Sequence, residues 1–127
     1  MSQLYIIVKT EFEAIHNYPN APNEVEFLRN PHRHIFHVEC EIEVFHDDRE
    51  LEFIIVKRAL ERFIQRTYGC NDIGSTSCEM IATVIQRYLK KRYHLDAETY
   101  PSQSFRNVKV KVLEDNENGC YLKDDDK

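Results

Sequence analysis

The chain has 127 residues, of which 42% are hydrophobic and 31% are charged, and this balance predicts one globular domain with a substantial core. Its formal net charge of −5 disfavours DNA or RNA as a partner, because nucleic-acid binding usually needs a basic face. The sequence contains neither a run of about 18 apolar residues nor a charged leader with a cleavage site, so we predict no membrane span and no signal peptide. The four cysteines have no CxxC spacing, which favours a reducing compartment and hence a cytoplasmic protein.

Two long strands are predicted at the start of the chain. Residues 4–18 are rich in β-branched and aromatic side chains, as strands are. Residues 34–44 alternate between apolar and polar side chains, which predicts a second strand whose even-numbered positions face inward. Residues 17–31 lie between them, contain prolines and asparagines, and predict a loop long enough to be functional.

Two helices are predicted next. The apolar positions of residues 50–68 form one helical stripe, and Gly69 follows it as a stop signal. Thr76 and Glu79 have the capping-box spacing that marks the start of a second helix, and residues 94–96 end that helix.

The last part of the chain returns to strand patterns. A weak strand signal at residues 99–100 precedes a strong one at 108–112, and residues 118–119, Asn-Gly, then predict a turn. The order is ββααββ, which predicts the α+β class with an antiparallel sheet covered on one face by two helices. Because sheet edges are exposed in such a domain, we expect a ring of subunits. The domain is predicted to span residues 1–122, and the charged run 123–127 is predicted to be a solvated tail.

The histidines are the first sign of chemistry, because the chain has six of them. His32 and His34 are separated by one residue at the start of the second strand, so their rings point to one face. His16 lies near the end of the first strand and comes close to them if the two strands pair. Three neutral imidazoles form a recognised zinc set with one open position, although three ordinary strand histidines remain the alternative. His37 has the opposite strand parity and is expected to point away.

Several short segments together resemble one known family. They are Phe12-Glu13-Ala14-Ile15-His16, His32-Arg33-His34 with arginine where the family has glycine, Glu52 to Lys57, Thr76-Ser77-Cys78-Glu79 and Val112-Leu113-Glu114 before Asn118-Gly119-Cys120. In this order and spacing, the chain resembles the 6-pyruvoyl-tetrahydropterin synthase and 6-carboxy-tetrahydropterin synthase family over nearly its whole length. That family has the tunnelling fold.

The resemblance implies a site and an assembly. It implies a single Zn²⁺ and a pterin ring held by the carboxylate of Glu114, because a carboxylate accepts two hydrogen bonds in a fork. It also implies a homohexamer of two stacked trimers with sites at subunit interfaces. The implied zinc ligands are His16, His32 and His34. Further substrate-binding residues are expected at the start of the second helix, namely Thr76, Ser77 and Glu79. For Glu79, a role as the capping-box partner of Thr76 is an equally good explanation.

Two parts of the family pattern are missing from this chain. The family has a cysteine shortly before its histidine pair, and that position holds Leu28. Its Asp-His pair aligns with residues 66–68, which contain no histidine. The candidates for a replacement base are Glu24 and Glu26 in the loop, which burial can tune, and Cys78, where a helix N-terminus lowers the thiol pKa. Two solvated carboxylates and a small buried residue are the structural alternatives.

Two functions therefore remain open from the sequence. The first is a zinc-dependent lyase that acts on a pterin such as dihydroneopterin triphosphate, in a pterin or 7-deazaguanine (queuosine-type) pathway. The second is a non-catalytic paralogue that binds zinc and a pterin, or a partner subunit, without turnover. The retained metal and ring-binding residues favour the first function, and the missing cysteine and Asp-His pair favour the second.

Overall fold

Four strands form one antiparallel sheet in the order β1-β2-β3-β4. The computed structural model describes residues 2–102 and 105–125. Two strands precede the helices in the chain and two follow them, so the predicted α+β class and the antiparallel sheet are confirmed. The strands are β1 (Leu4–His16), β2 (His32–Val44), β3 (Val108–Glu114) and β4 (Asn118–Leu122).

Two α-helices, α1 (Phe53–Thr67) and α2 (Cys78–Arg92), pack on the sheet. Helix α1 contacts β1, and α2 contacts β3 and β4. A 3-10 segment, Asn23–Arg29, lies in the predicted loop between β1 and β2. No helix among residues 2–102 and 105–125 has the length and apolar character needed to cross a membrane.

The core lies between the helices and one face of the sheet, as the alternation of apolar residues predicts. Leu4 pairs with Val44 and His16 pairs with His32, so the even-numbered residues of β1 and β2 share one face. That face is buried under the apolar stripes of both helices. The largest fully buried side chains include Phe36, Ile42, Leu60, Ile64, Ile81, Ile85 and Leu89.

The segment between the helices covers the outer edge of β1 close to His16. Ile15 donates a backbone hydrogen bond to Asn71 and accepts one from Ile73, at 3.0 and 2.7 Å. Cys70 N also donates to Glu13 O at 2.8 Å. These bonds bring the start of α2 beside the end of β1, which places residues 75–80 next to the histidines.

The predicted strand at residues 99–100 is wrong. Asp96 holds this segment in a turn, because its carboxylate accepts hydrogen bonds from Glu98 N and Thr99 Oγ1, both at 3.0 Å. A short polar side chain that bonds to residues just after it offers the backbone an alternative to a sheet ladder.

The turn predicted at residues 118–119 is also wrong, since these residues begin β4. The turn lies earlier, at Asp115 and Asn116, which have φ of 52° and 59°. Asp and Asn are the residues other than glycine that tolerate this left-handed conformation best. Gly119 serves a different purpose, because a Cβ there would lie 1.8 Å from the carbonyl oxygen of Val112 on the paired strand.

The start of α2 differs from the predicted capping box. Ser77 is the N-cap, and its Oγ accepts a hydrogen bond from Met80 N at 3.1 Å. Thr76 Oγ1 instead donates to Ile73 O at 2.6 Å, which secures the preceding turn. Both residues carry a hydroxyl that could cap the helix. The capping-box spacing to Glu79 predicted Thr76, whereas the structure has Ser77 as the cap.

We expect Ser77→Ala to destabilise the protein by about 1 kcal/mol, because an amide at the start of α2 loses its acceptor. Ser75→Ala is the matched control, since Ser75 is exposed and precedes the cap. Chemical denaturation of both variants measures the difference. Equal stability of the two variants would show that Ser77 does not cap the helix.

A buried ion pair lies at the opposite end of the sheet from the histidines. Arg106 binds Glu50 through two hydrogen bonds, with Nη2 to Oε2 at 2.8 Å and Nη1 to Oε1 at 3.1 Å, and both side chains are almost fully buried. Phe45 N and Tyr100 Oη also donate to the Glu50 carboxylate. Burial alone would raise the pKa of Glu50, but these hydrogen bonds, above all the one from Arg106, hold it below the ordinary value.

Part of the predicted charged tail is packed rather than solvated. Asp124 accepts a hydrogen bond from Val108 N at 2.8 Å and forms an ion pair with Lys90, and its side chain is largely buried. Residues 126–127 of that tail lie outside the described residues. Asp124 therefore joins α2, through Lys90, to the start of β3, through Val108.

Candidate metal centre

Three histidines converge where the ribbon of β1 and β2 ends. His16 is the last residue of β1, and the register pairs it with His32, the first residue of β2. His34 follows on the same face of β2. The ring centroids lie 4.6 to 5.2 Å apart, and each ring offers a nitrogen within 4.8 Å of the others. The predicted ligand set is thus brought together, and it could hold a metal ion.

The Nδ1 atom of each ring contacts an oxygen that can only accept a hydrogen bond. His16 Nδ1 lies 2.8 Å from Thr76 O, and His32 Nδ1 lies 2.8 Å from Asn30 O. His34 Nδ1 lies 2.6 Å from Asp115 Oδ2. Because these oxygens carry no proton, Nδ1 is the donor in each ring, and in a neutral ring the lone pair of Nε2 is then available to a metal.

Two of the Nε2 atoms differ from ordinary polar groups of a protein core. Those of His16 and His34 are buried and make no hydrogen bond among the described residues, although Glu114 oxygens lie 3.0 and 3.8 Å from them. Unpaired polar atoms in a buried position are costly, and a bound cation would satisfy them. Three imidazole ligands suit several transition metals, zinc among them.

Glu114 is the acidic group closest to these rings. Its position opposite Phe36 places it at the end of β3 on the same face as the histidines. One carboxylate oxygen lies 3.0 Å from His16 Nε2, and the other lies 3.8 Å from His34 Nε2. The carboxylate predicted to bind a pterin therefore lies directly beside the candidate metal centre.

A cavity of about 510 Å³ opens beside the rings of His16 and His32. Its walls come from the end of β1, the loop before β2, the start of α2 and the β3–β4 hairpin. Most of the residues predicted to bind metal or substrate lie on these walls. They are His16, His32, Thr76, Ser77, Glu79 and Glu114, together with Cys78 and Leu28.

The residues at the start of α2 take roles that the sequence did not specify. Thr76 reaches the site through its carbonyl oxygen, which holds His16, whereas Ser77 caps the helix. Glu79 lies in the first turn of α2 with an exposed side chain on the cavity wall. Substrate binding by these residues remains a prediction.

Cys78 does not have the lowered pKa that its place at a helix start predicts. Burial, followed by the nearby charges of Glu114, Cys120 and Glu79, raises the pKa of the thiol to about 12. Desolvation and neighbouring carboxylates both oppose a thiolate here and outweigh the helix dipole. The structure therefore corrects the reason for which Cys78 was considered a base.

Glu24 and Glu26 are not brought to the cavity. Both lie in the 3-10 segment with exposed side chains, and Leu28 is the residue of this segment that lines the cavity. Glu26 instead lies 4.0 Å from Arg29. A catalytic role for either carboxylate remains a prediction that this geometry does not support.

His37 and Arg33 lie on the opposite face of the sheet, as their strand parity predicts. His37 Nδ1 lies 3.3 Å from a Glu11 oxygen, and Arg33 Nη1 donates to Glu13 Oε1 at 2.9 Å. Arg33, between the two site histidines, therefore pairs with Glu13 of β1 and does not enter the face of β2 that carries His32 and His34.

Sequence reasoning missed the groups that hold the rings. The carbonyl oxygens of Thr76 and Asn30 carry no sequence signal, because every residue has one. Asp115 gave a usable signal, since it follows Glu114 directly and precedes Asn116 in a pattern typical of a tight turn. Its two hydrogen bonds, from His34 and from Ile35 N at 3.0 Å, hold its pKa below the ordinary value, the bond from Ile35 most strongly.

Comparison with known proteins leaves the family open. No family model matches the chain, and no curated protein matches it either. The resemblance to tetrahydropterin synthases thus depends on the short motifs alone.

Proposed function

We propose that this chain is a zinc-dependent lyase of the 6-pyruvoyl/6-carboxy-tetrahydropterin synthase type that acts on a pterin such as dihydroneopterin triphosphate. The observation that carries the proposal is the set of three imidazoles, each with a ring nitrogen within 4.8 Å of the others, beside a cavity bordered by Glu114. Zn²⁺ bound there supplies a Lewis acid that polarises a side-chain oxygen of the substrate. The ligands are His16, His32 and His34.

The chain's own residues account for binding and orientation of the substrate. The Glu114 carboxylate is about one-third exposed and shares the cavity with the metal-facing nitrogens, so one small ligand can contact both. A carboxylate accepts the two N–H groups of a guanidine-like pterin edge in a fork. Apolar walls such as Leu28 favour a flat ring over bulk water.

The tunnelling fold and a homohexamer complete the proposal. The order of the elements, two strands, two helices and two strands, agrees with that fold. Strands β1 and β4 form the two outer positions of the sheet, and subunit association would cover the edge of β4 and the part of the β1 edge that residues 70–73 leave open.

A second candidate function is a zinc- and pterin-binding protein without turnover. One observation favours it: Leu28 lines the cavity where the family resemblance expects a cysteine. The raised pKa of Cys78 also disfavours a substitute thiolate in the same cavity. Binding without chemistry needs only the metal, the ring-binding carboxylate and the apolar wall.

Turnover distinguishes the two functions. Zinc-loaded protein is incubated with dihydroneopterin triphosphate, while pterin fluorescence and released triphosphate are followed. Product formation that His16→Ala abolishes supports the enzyme. Tight pterin binding without product supports the binding protein, and absence of both binding and product excludes dihydroneopterin triphosphate as the ligand.

We expect Glu114→Gln to weaken pterin binding about 10- to 100-fold, because an amide cannot accept both N–H groups and loses a charge-assisted hydrogen bond. Zinc content should stay unchanged, since all three imidazoles remain. Glu79→Gln is the comparison variant, because Glu79 is a second carboxylate on the cavity wall and is itself predicted to bind substrate, and we expect the smaller loss there. Calorimetric titration that shows a larger loss for Glu79→Gln would assign the ring-binding role to Glu79.

A further inference from the structure

The carboxylate of Asp115 joins the β3–β4 turn to the metal centre. Its Oδ2 accepts a hydrogen bond from His34 Nδ1 at 2.6 Å, and its Oδ1 accepts one from Ile35 N at 3.0 Å. Asp115 N also donates to Ile35 O at 2.7 Å. Both carboxylate oxygens and the backbone amide are therefore engaged with two consecutive residues of β2.

We propose that Asp115 is a positioning residue that sets the tautomer and the orientation of His34 for metal binding. This inference rests on the metal centre described under the proposed function. An ionised carboxylate only accepts hydrogen bonds, so the neutral His34 ring carries its proton on Nδ1 and keeps Nε2 available as a metal ligand. The same contact makes the ring a more basic ligand.

His34 differs in this respect from the other two ligands. His16 and His32 are held by the backbone oxygens of Thr76 and Asn30, which no substitution removes. His34 is held by a side chain, on a residue 81 positions away in the sequence. One conservative substitution can therefore change the tautomer of one ligand and leave the other two unchanged.

The turn tolerates the substitution that tests this role. Asp115 has φ of 52°, a conformation that asparagine adopts readily, so Asp115→Asn preserves the backbone. The amide has one accepting oxygen and one donating nitrogen. Ile35 N is a fixed donor that requires the oxygen, so the amide nitrogen faces the His34 ring. The ring relieves this donor–donor contact by moving its proton to Nε2, which cannot then bind a metal.

We expect Asp115→Asn to weaken zinc binding about 10- to 100-fold in competition with a chelator. The second measurement uses metal-free protein with ¹⁵N-labelled histidine at about pH 8.5, where free imidazole is neutral, so that long-range ¹H–¹⁵N spectra report each tautomer. His34 should carry its proton on Nδ1 in the wild type and on Nε2 in the variant. Glu117→Gln removes an exposed carboxylate from the same turn and should change neither result.

Each outcome bears on a separate claim. Wild-type zinc affinity and an unchanged His34 tautomer in Asp115→Asn would overturn the role of Asp115. An Nε2-protonated His34 in the wild-type protein would also overturn it, without any variant. If the wild type binds no zinc, the proposed function fails, and the tautomer spectra of the metal-free protein still decide whether Asp115 sets the ring.

Discussion

His32→Ala is expected to reduce bound zinc from one ion per chain to a level that elemental analysis does not detect after dialysis. Removal of one imidazole leaves two ligands, and the loss of affinity should exceed the roughly 10- to 100-fold cost of losing a supporting partner. His32 is only half-buried at the start of β2, so the variant should keep its fold. Metal analysis and circular dichroism of the same sample check both statements.

His37→Ala is the matched control for this experiment. It removes an imidazole from the same strand, but one that faces the opposite side of the sheet and lies beside Glu11. Zinc content should be unchanged in this variant. Full zinc content in His32→Ala, or equal loss in both variants, would count against the assigned ligand set.

Glu50→Gln is expected to lower the free energy of unfolding by about 3–5 kcal/mol, because it leaves the buried guanidinium of Arg106 without a counter-charge. Asp48→Asn provides the comparison, since it breaks a pair with Arg49 in which both side chains are exposed. That exposed pair contributes at most about 1 kcal/mol. Urea denaturation at neutral pH measures both variants, and similar losses would refute a special role for the buried pair.

The same pair predicts how stability depends on pH. The folded protein holds the pKa of Glu50 below its ordinary value of 4.5, so the carboxylate stabilises the fold fully above that value. This contribution is lost as the pH falls through the lowered pKa. The stability difference between wild type and Glu50→Gln should therefore shrink in acid. A difference that grows as the pH falls from 5 toward 3 (about the range of carboxyl titration) would contradict this assignment.

The part of the site that could be predicted from the sequence follows from strand geometry. Because side chains alternate between the two faces of a strand, His32 and His34 lie on one face of β2. The pairing of β1 with β2 then brings His16 to them. The apolar stripes of α1 and α2 likewise predict which helix faces are buried. Local periodicity and the pairing of adjacent strands are sufficient for both conclusions.

The remaining features depend on contacts between distant parts of the chain. Asp115 meets His34 across 81 positions, and the 70–74 segment pairs with β1 across a helix. The pKa of Cys78 depends on burial and on charges from the hairpin rather than on its helix position. The choice between Thr76 and Ser77 as the cap depends on where the preceding turn places each hydroxyl.

The supports of the three imidazoles come from three separate parts of the chain, at residues 30, 76 and 115. An ion seated on Nε2 of all three rings would act as a noncovalent cross-link between the β1–β2 loop, the helix α2 entrance and the last hairpin. A ligand that binds only the folded state makes the melting temperature depend on the free metal concentration. The free energy of unfolding would rise by about 1.4 kcal/mol for each tenfold increase in free metal above the dissociation constant. The free metal concentration around the protein would then set the free energy needed to separate these three segments at this end of the sheet.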